Sequence, residues 1–139
     1  MSRDVYVPKM ANDDLPAELN QITGKIVAAA CAVHSRLGPG LLESVYEVCL
    51  AHQLEKDGLK VKRQVPMPVA YDGVSLDAGF RLDLLVENQV VVEIKAVDGL
   101  LPVHKAQVIT YLKLGGYRAG LLVNFNVEMI RDGVKRIVV

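Results

Sequence analysis

The chain has 139 residues, a formal net charge of +0 and a pI near 6.8, so it lacks the basic excess that neutralises a nucleic-acid backbone. Its 51% hydrophobic and 23% charged residues are typical of one compact domain. The cysteines Cys31 and Cys49 form no CxxC or Cys/His cluster, which argues against a zinc site. No stretch approaches the roughly 18 apolar residues of a membrane span, and residues 1–14 contain no apolar core of signal-peptide length. We therefore expect a cytoplasmic domain without membrane contact.

The first part of the chain predicts an arm and a helix. Residues 1–14 are polar and irregular, which indicates a flexible N-terminal arm ahead of a single domain at 15–139. Apolar residues between 19 and 37 recur at spacings of three and four, the pattern of an amphipathic helix. Pro16 suits its first turn, and Gly38 suits a left-handed cap at its end.

A second helix is predicted from about Leu41 to Lys56. Its apolar residues cover a wide arc, so we expect it to be sandwiched between the first helix and a sheet. The residues of this arc are Leu42, Val45, Val48, Cys49 and His52.

The remaining elements alternate between strands and a third helix. A strand at 61–65 is followed by a hairpin turn in "YDGV" and then by an apolar hairpin at 80–97. A helix begins near Pro102, a buried strand carries residues 121–123, and a final strand pair is joined by Asp132-Gly133.

The order α-α-β-β-β-α-β-β predicts an α/β (α+β) fold. Successive strands imply antiparallel pairs, whereas the strand–helix–strand step from residues 90–97 to residues 121–124 implies a right-handed parallel crossover. We therefore expect a mixed central β-sheet flanked by helices.

Three charges interrupt the apolar hairpin: Asp83, Glu93 and Lys95. A buried charge without a partner costs several kcal/mol, so these residues need a reason to be there. Glu93 and Lys95 are two residues apart and share a face of the strand. Asp83 joins them only if the connection has an odd length, such as residues 87–89, since a slip of one residue inverts the face.

Two carboxylates on one face favour a metal site. They repel each other unless a cation lies between them, and Mg²⁺ or Mn²⁺ takes oxygen ligands of this kind. The carbonyl of Ile94 offers a third oxygen, and a nearby lysine suits phosphodiester hydrolysis. A cross-strand salt bridge among Asp83, Arg81, Glu93 and Lys95 on a solvated face explains the same spacing.

Several motifs together carry a family resemblance. Asp83 followed by Glu93-Ile94-Lys95 resembles the core of the PD-(D/E)XK nuclease superfamily, although Leu82 stands in place of the proline. Gln107 and Tyr111 match the Gln-x-x-x-Tyr motif that some branches carry on the following helix.

A narrower resemblance is to the bacterial and archaeal family named GxxExxY proteins. Its naming motif matches Gly40 to Tyr46, and the likeness extends over about 19–138. The resemblance implies a restriction-endonuclease-like core that acts on nucleic acid, DNA in preference to RNA, with Mg²⁺ or Mn²⁺. It assigns metal binding to Asp83, Glu93 and Ile94, catalysis to Lys95 together with Asp83, Glu93 and Glu43, and site support or substrate binding to Gln107, Tyr111 and Tyr46.

Each assignment beyond the hairpin has a simpler alternative. Glu43 would also stabilise a helix N-terminus, Tyr46 and Tyr111 would also suit the edge of the core, and Gln107 would serve as an ordinary polar residue. The complete set of acidic residues with a lysine favours a nuclease. Small size and neutral charge favour a non-catalytic module that acts through a protein partner or as a homodimer.

Overall fold

The computed structural model describes residues 5–6, 15–77 and 79–139. Of the predicted arm, Val5–Tyr6 form a short strand, β1, and the rest lies outside the described residues. Three helices follow in the described chain: α1 at Ala17–Leu37, α2 at Glu43–Lys56 and α3 at Pro102–Gly115.

The strands form one mixed sheet and one separate hairpin. Their bounds are β2 Val61–Pro66, β3 Val69–Tyr71, β4 Val74–Leu76, β5 Arg81–Val86, β6 Val90–Lys95, β7 Ala119–Asn124 and β8 Val134–Val138. The sheet has the order β1-β8-β7-β6-β5-β2, and β3 and β4 pair with each other in a separate two-stranded sheet. β6 and β7 are parallel across α3, as the strand–helix–strand step requires, and β5 and β6 are antiparallel. The predicted fold class, a mixed sheet flanked by helices, is confirmed.

The prediction of a final strand pair is wrong. Ile130–Asp132 form a turn of 3₁₀-helix, and a single strand, β8, follows it. Ile130 is 9% exposed and lies in the core, and the Gly133 amide donates to its carbonyl at 2.8 Å. Burial of Ile130 therefore turns Asp132-Gly133 into the close of a helical turn, although that dipeptide by itself favours a hairpin.

Helix α2 also departs from its prediction. It packs against α1 and against β2, β5 and β6, as a sandwiched helix does. Its buried apolar residues, however, are Tyr46, Leu50, Ala51 and Leu54. Of the predicted apolar arc, Leu42, Val45 and Val48 face outward and are 73%, 38% and 49% exposed, whereas Cys49 packs against the core.

The two faces of the sheet carry cores of unequal size. The larger core lies under α1 and α2 and includes Leu84, Val86, Val92 and Ile94. The smaller core lies under α3 and holds eight buried residues. Those residues are Met67, Leu82, Leu85, Val91, Val108, Leu112, Leu122 and Ile137.

In β2 and β5, the regular alternation of side chains between the two faces of the sheet is interrupted at one position. Leu82 packs into the smaller core and Leu84 into the larger one, although residues two apart in a regular strand share a face. The register continues without an inserted residue, from Arg63↔Leu84 to Val65↔Leu82. Between these pairs lie Gln64, whose φ is +51°, and Asp83. A non-glycine residue at positive φ is uncommon, and such residues often mark functional sites.

Candidate functional site

The charged end of the β5–β6 hairpin has the predicted register. Val86 pairs with Val90 and Leu84 with Val92, so the connection has three residues and Asp83 lies opposite Glu93. Beyond Leu84, side-chain carboxylates replace backbone carbonyls as the hydrogen-bond acceptors of the Asp83 and Ile94 amides. The Asp83 amide donates to Glu93 Oε2 at 3.0 Å, and the Ile94 amide donates to Asp83 Oδ2 at 2.8 Å. Each carboxylate is thereby fixed by the opposite strand and has one further oxygen.

Negative charge exceeds positive charge at this point. Glu93 is 7% exposed, and burial together with the charge of Asp83 raises its pKa to about 8. Burial also raises the pKa of Asp83, against the lowering effect of the hydrogen bond from Ile94. Lys95 acts in the opposite direction on both groups, but without a further cation the pair favours keeping a proton on Glu93.

Helix α2 brings two more carboxylates toward the hairpin. Glu43, its first residue, is exposed, and its Oε2 accepts a hydrogen bond from the Ala96 amide at 3.3 Å. Glu47 was not among the predicted site residues. It is 7% exposed, and its negative charge contributes to the raised pKa values of Asp83 and Glu93. Its position one helical turn after Glu43 is the sequence signal that could have indicated it.

Glu47 is tied to β2 through two side chains. Arg63 Nη2 lies 3.1 Å from Glu47 Oε2, an ion pair in which the side chain of Arg63 is half-exposed and that of Glu47 is nearly buried. Gln64 Nε2 donates to Glu47 Oε1 at 2.7 Å and reaches Asp83 Oδ1 at 3.5 Å. The unusual backbone of Gln64 therefore directs an amide between two carboxylates.

Helix α3 faces the same carboxylates from the side of the smaller core. Burial raises the pKa of Tyr111, and the charges of Glu93 and Asp83 raise it further, which places its hydroxyl in their field. Gln107, one turn earlier, is exposed and lines the same surface pocket as Tyr111. Tyr111 packs against the smaller core, which includes Leu82 next to Asp83, and Gln107 lines the same pocket as Tyr111.

Tyr46 lies apart from this cluster. Its side chain is fully buried and stacks on Phe125 with ring centroids 4.5 Å apart. Its hydroxyl donates to the Gly38 carbonyl at 2.6 Å and accepts from the Leu41 amide at 3.1 Å. The motif tyrosine therefore braces the turn that leads into α2 and so sets the position of Glu43.

The donor set fits a hard divalent cation of the Mg²⁺ type. Among the described residues, no group of three or more His, Cys, Asp or Glu side chains is arranged to hold a metal ion. Mg²⁺, however, is commonly bound by one or two carboxylates, with waters and substrate phosphates as the other ligands. The remaining oxygens of Asp83 and Glu93 satisfy this pattern, and a bound cation would offset the charge of Asp83, which together with burial raises the pKa of Glu93.

A family model of the PD-(D/E)XK nuclease superfamily matches residues 20–137. The chain belongs to this superfamily. Comparison with curated proteins and with solved structures gave no match. Membership supports a nuclease-type function and nucleic acid as the class of substrate. In the described part of the chain, none of the helices is both long and apolar enough to cross a membrane.

Proposed function

We propose that the protein hydrolyses phosphodiester bonds of nucleic acid, DNA in preference to RNA, with Mg²⁺ or Mn²⁺ held by Asp83 and Glu93. The carboxylate pair carries this proposal. Two acidic side chains are locked by amides of the opposite strand, partly buried, and short of positive charge. Two ionised carboxylates arranged in this way cost stability unless a cation binds, and a bound metal would supply that cation.

The residues around the pair take distinct roles. Asp83 and Glu93 each offer one oxygen, and the Ile94 carbonyl is a third candidate ligand. A bound divalent ion supplies an activated water and screens the phosphate. Lys95 follows Glu93 on the same strand face and would stabilise charge that develops on the phosphate. Glu43 at the rim would orient a water.

Two observations favour the alternative of a non-catalytic module. The described residues do not form a group of three or more metal-ligating side chains, and Glu93 is largely buried. A module of this kind would keep the charged hairpin for its fold and act through a protein partner or as a homodimer. Metal binding and strand cleavage distinguish the two functions.

The first experiment is calorimetric titration of Mn²⁺ into the wild type and into Asp83→Asn and Glu93→Gln. Glu55→Gln is the matched control, because Glu55 is an exposed carboxylate on α2. We expect one site in the wild type and the control, and weakening of at least about tenfold in the other two variants.

Cleavage of single-stranded DNA, duplex DNA and RNA is then measured with Mn²⁺. Cleavage that disappears in Asp83→Asn and persists in Glu55→Gln supports the nuclease. Metal binding without cleavage of these substrates would favour the module. Equal metal binding by all four proteins would contradict the assigned site.

A further inference from the structure

A pocket of about 390 Å³ lies between α1 and α2, and a second pocket, of about 320 Å³, lies along α3. We call this second one the α3 pocket. Apolar side chains form most of its wall, among them Met67, Phe80, Val103 and Leu114. Its polar groups are Gln107, Thr110 and Tyr111. Among the described residues, those that line it carry no formal charge, and its volume is in the range of small-molecule sites.

Two aromatic rings make the α3 pocket suitable for a flat ligand. Phe80 and Tyr111 have ring centroids 6.2 Å apart at an interplanar angle of 54°. Phe80 remains 43% exposed, so part of its ring is available for contact. The ring is placed by the backbone, since the Met67 amide donates to the Phe80 carbonyl at 2.9 Å. Exposed aromatic rings beside a few amide and hydroxyl groups are the elements with which proteins stack and read nucleobases.

The α3 pocket and the charged hairpin both border the smaller core, where Tyr111 packs against a cluster that includes Leu82, the neighbour of Asp83. Tyr111 lines the pocket and lies in the field of Glu93 and Asp83. Phe80 precedes Asp83 by three residues, about 10 Å of extended chain. A nucleotide whose phosphate lies at the carboxylates would therefore carry a base, or that of its neighbour, to the pocket.

We propose that the α3 pocket binds one unstacked nucleobase next to the scissile phosphate, and that the substrate is single-stranded nucleic acid or a frayed end. This inference rests on the proposed nuclease function and names its substrate class. A base inside a duplex has both faces covered, so it enters such a pocket only after it leaves the stack. The neutral net charge agrees, because base stacking then supplies binding energy that backbone neutralisation does not.

The test measures equilibrium binding without metal, so that it does not depend on hydrolysis. Fluorescence anisotropy in EDTA and low salt compares a labelled oligothymidylate of about ten nucleotides with an abasic strand of the same length. Glu93→Gln serves as the background, because its neutral amide keeps this position uncharged at every pH and so adds no repulsion of phosphate. We expect the thymidylate strand to bind at least about tenfold more tightly than the abasic strand.

Two variants address the pocket and one serves as a control. Phe80→Ala removes a stacking ring, and Ala106→Leu fills the pocket from an exposed helical position with a good helix former. Each should weaken thymidylate binding by about five- to a hundredfold and leave abasic binding unchanged. Tyr71→Ala removes a ring that is 74% exposed and does not line the pocket, and it should change binding by less than about twofold.

Equal affinity for the two strands, or no measurable binding of either, would overturn the inference. So would unchanged thymidylate binding in a folded Ala106→Leu variant. Failure of the nuclease proposal has a different signature. In that case wild-type protein would neither bind Mn²⁺ nor cleave, while base-dependent binding in EDTA would persist.

Discussion

The backbone amides at the two ends of the β5–β6 hairpin have different hydrogen-bond acceptors. Near the turn, Leu84–Val86 pair with Val90–Val92 in a regular ladder, and their side chains are buried. At the open end, the amides of Asp83 and Ile94 donate to carboxylates. The closed end is held by apolar burial, whereas the open end concentrates like charges and depends on a cation or a proton.

Stability and function therefore depend on opposite ends of one hairpin. Apolar packing at the closed end lowers the free energy of the folded state at any pH. The open end lowers it only when its charges are compensated. The site is therefore built on a rigid strand pair but is itself the less stable part of that pair.

The largest effect on stability should come from the closed end. Leu84→Ala removes a fully buried side chain of the larger core and should lower the free energy of unfolding by about 2–5 kcal/mol. Leu76→Ala, at a position 46% exposed on β4, should cost less than about 1 kcal/mol. Urea denaturation measures both, and equal losses would show that the closed end is not the anchor.

The open end should govern the reaction rate. Lys95→Ala is expected to slow cleavage by about a hundred- to a thousandfold, because a cation that stabilises developing charge is lost. Mn²⁺ binding should persist, since Lys95 is not a ligand. Lys25→Ala, an exposed lysine on α1, is the control and should cleave like the wild type. Parallel loss of metal binding and cleavage in Lys95→Ala would contradict the assigned role.

The open end should also give the metal-free protein a pH-dependent stability. The pKa of Glu93 is about 8 in the folded state against an ordinary 4.5, so the unfolded chain releases this proton first as pH rises. The stabilisation that protonated Glu93 provides should therefore be complete below pH 4.5 and decrease as the pH rises toward 8. Between pH 5.5 and 7.5 the loss should be about 2–3 kcal/mol. Chemical denaturation in EDTA measures it, and a profile as steep in Glu93→Gln would assign the effect elsewhere.

The smallest effect is expected where α2 supports the open end. Glu47→Gln keeps an acceptor for Gln64 but loses the charge that pairs with the half-exposed Arg63, at a cost of about 1 kcal/mol. Glu55→Gln on the same helix should stay within about 0.5 kcal/mol of the wild type. Thermal unfolding compares them, and identical values would mean that Glu47 does not brace the hairpin.

The sequence by itself determined much of this arrangement. Alternation of side chains along a strand, with a connection of three residues, was enough to place Asp83 opposite Glu93. The helical spacing of Gln107 and Tyr111 was enough to place both on one helix face, and the order of elements predicted the mixed sheet. These features depend on local geometry, which a sequence carries directly.

Tertiary structure decided the remaining features of the site, because those features depend on contacts between residues far apart in the sequence. Glu47, Gln64 and Asp83 meet although 36 positions separate the first from the last, and the exchange of faces at Gln64 has no local signal in a non-glycine residue. Tertiary packing buries the side chain of Tyr46 in the core. It also places Ile130 in a 3₁₀ turn, where the local sequence pattern favoured a strand pair. Whether a side chain meets solvent, a core or a second charge is set by the neighbours that folding supplies.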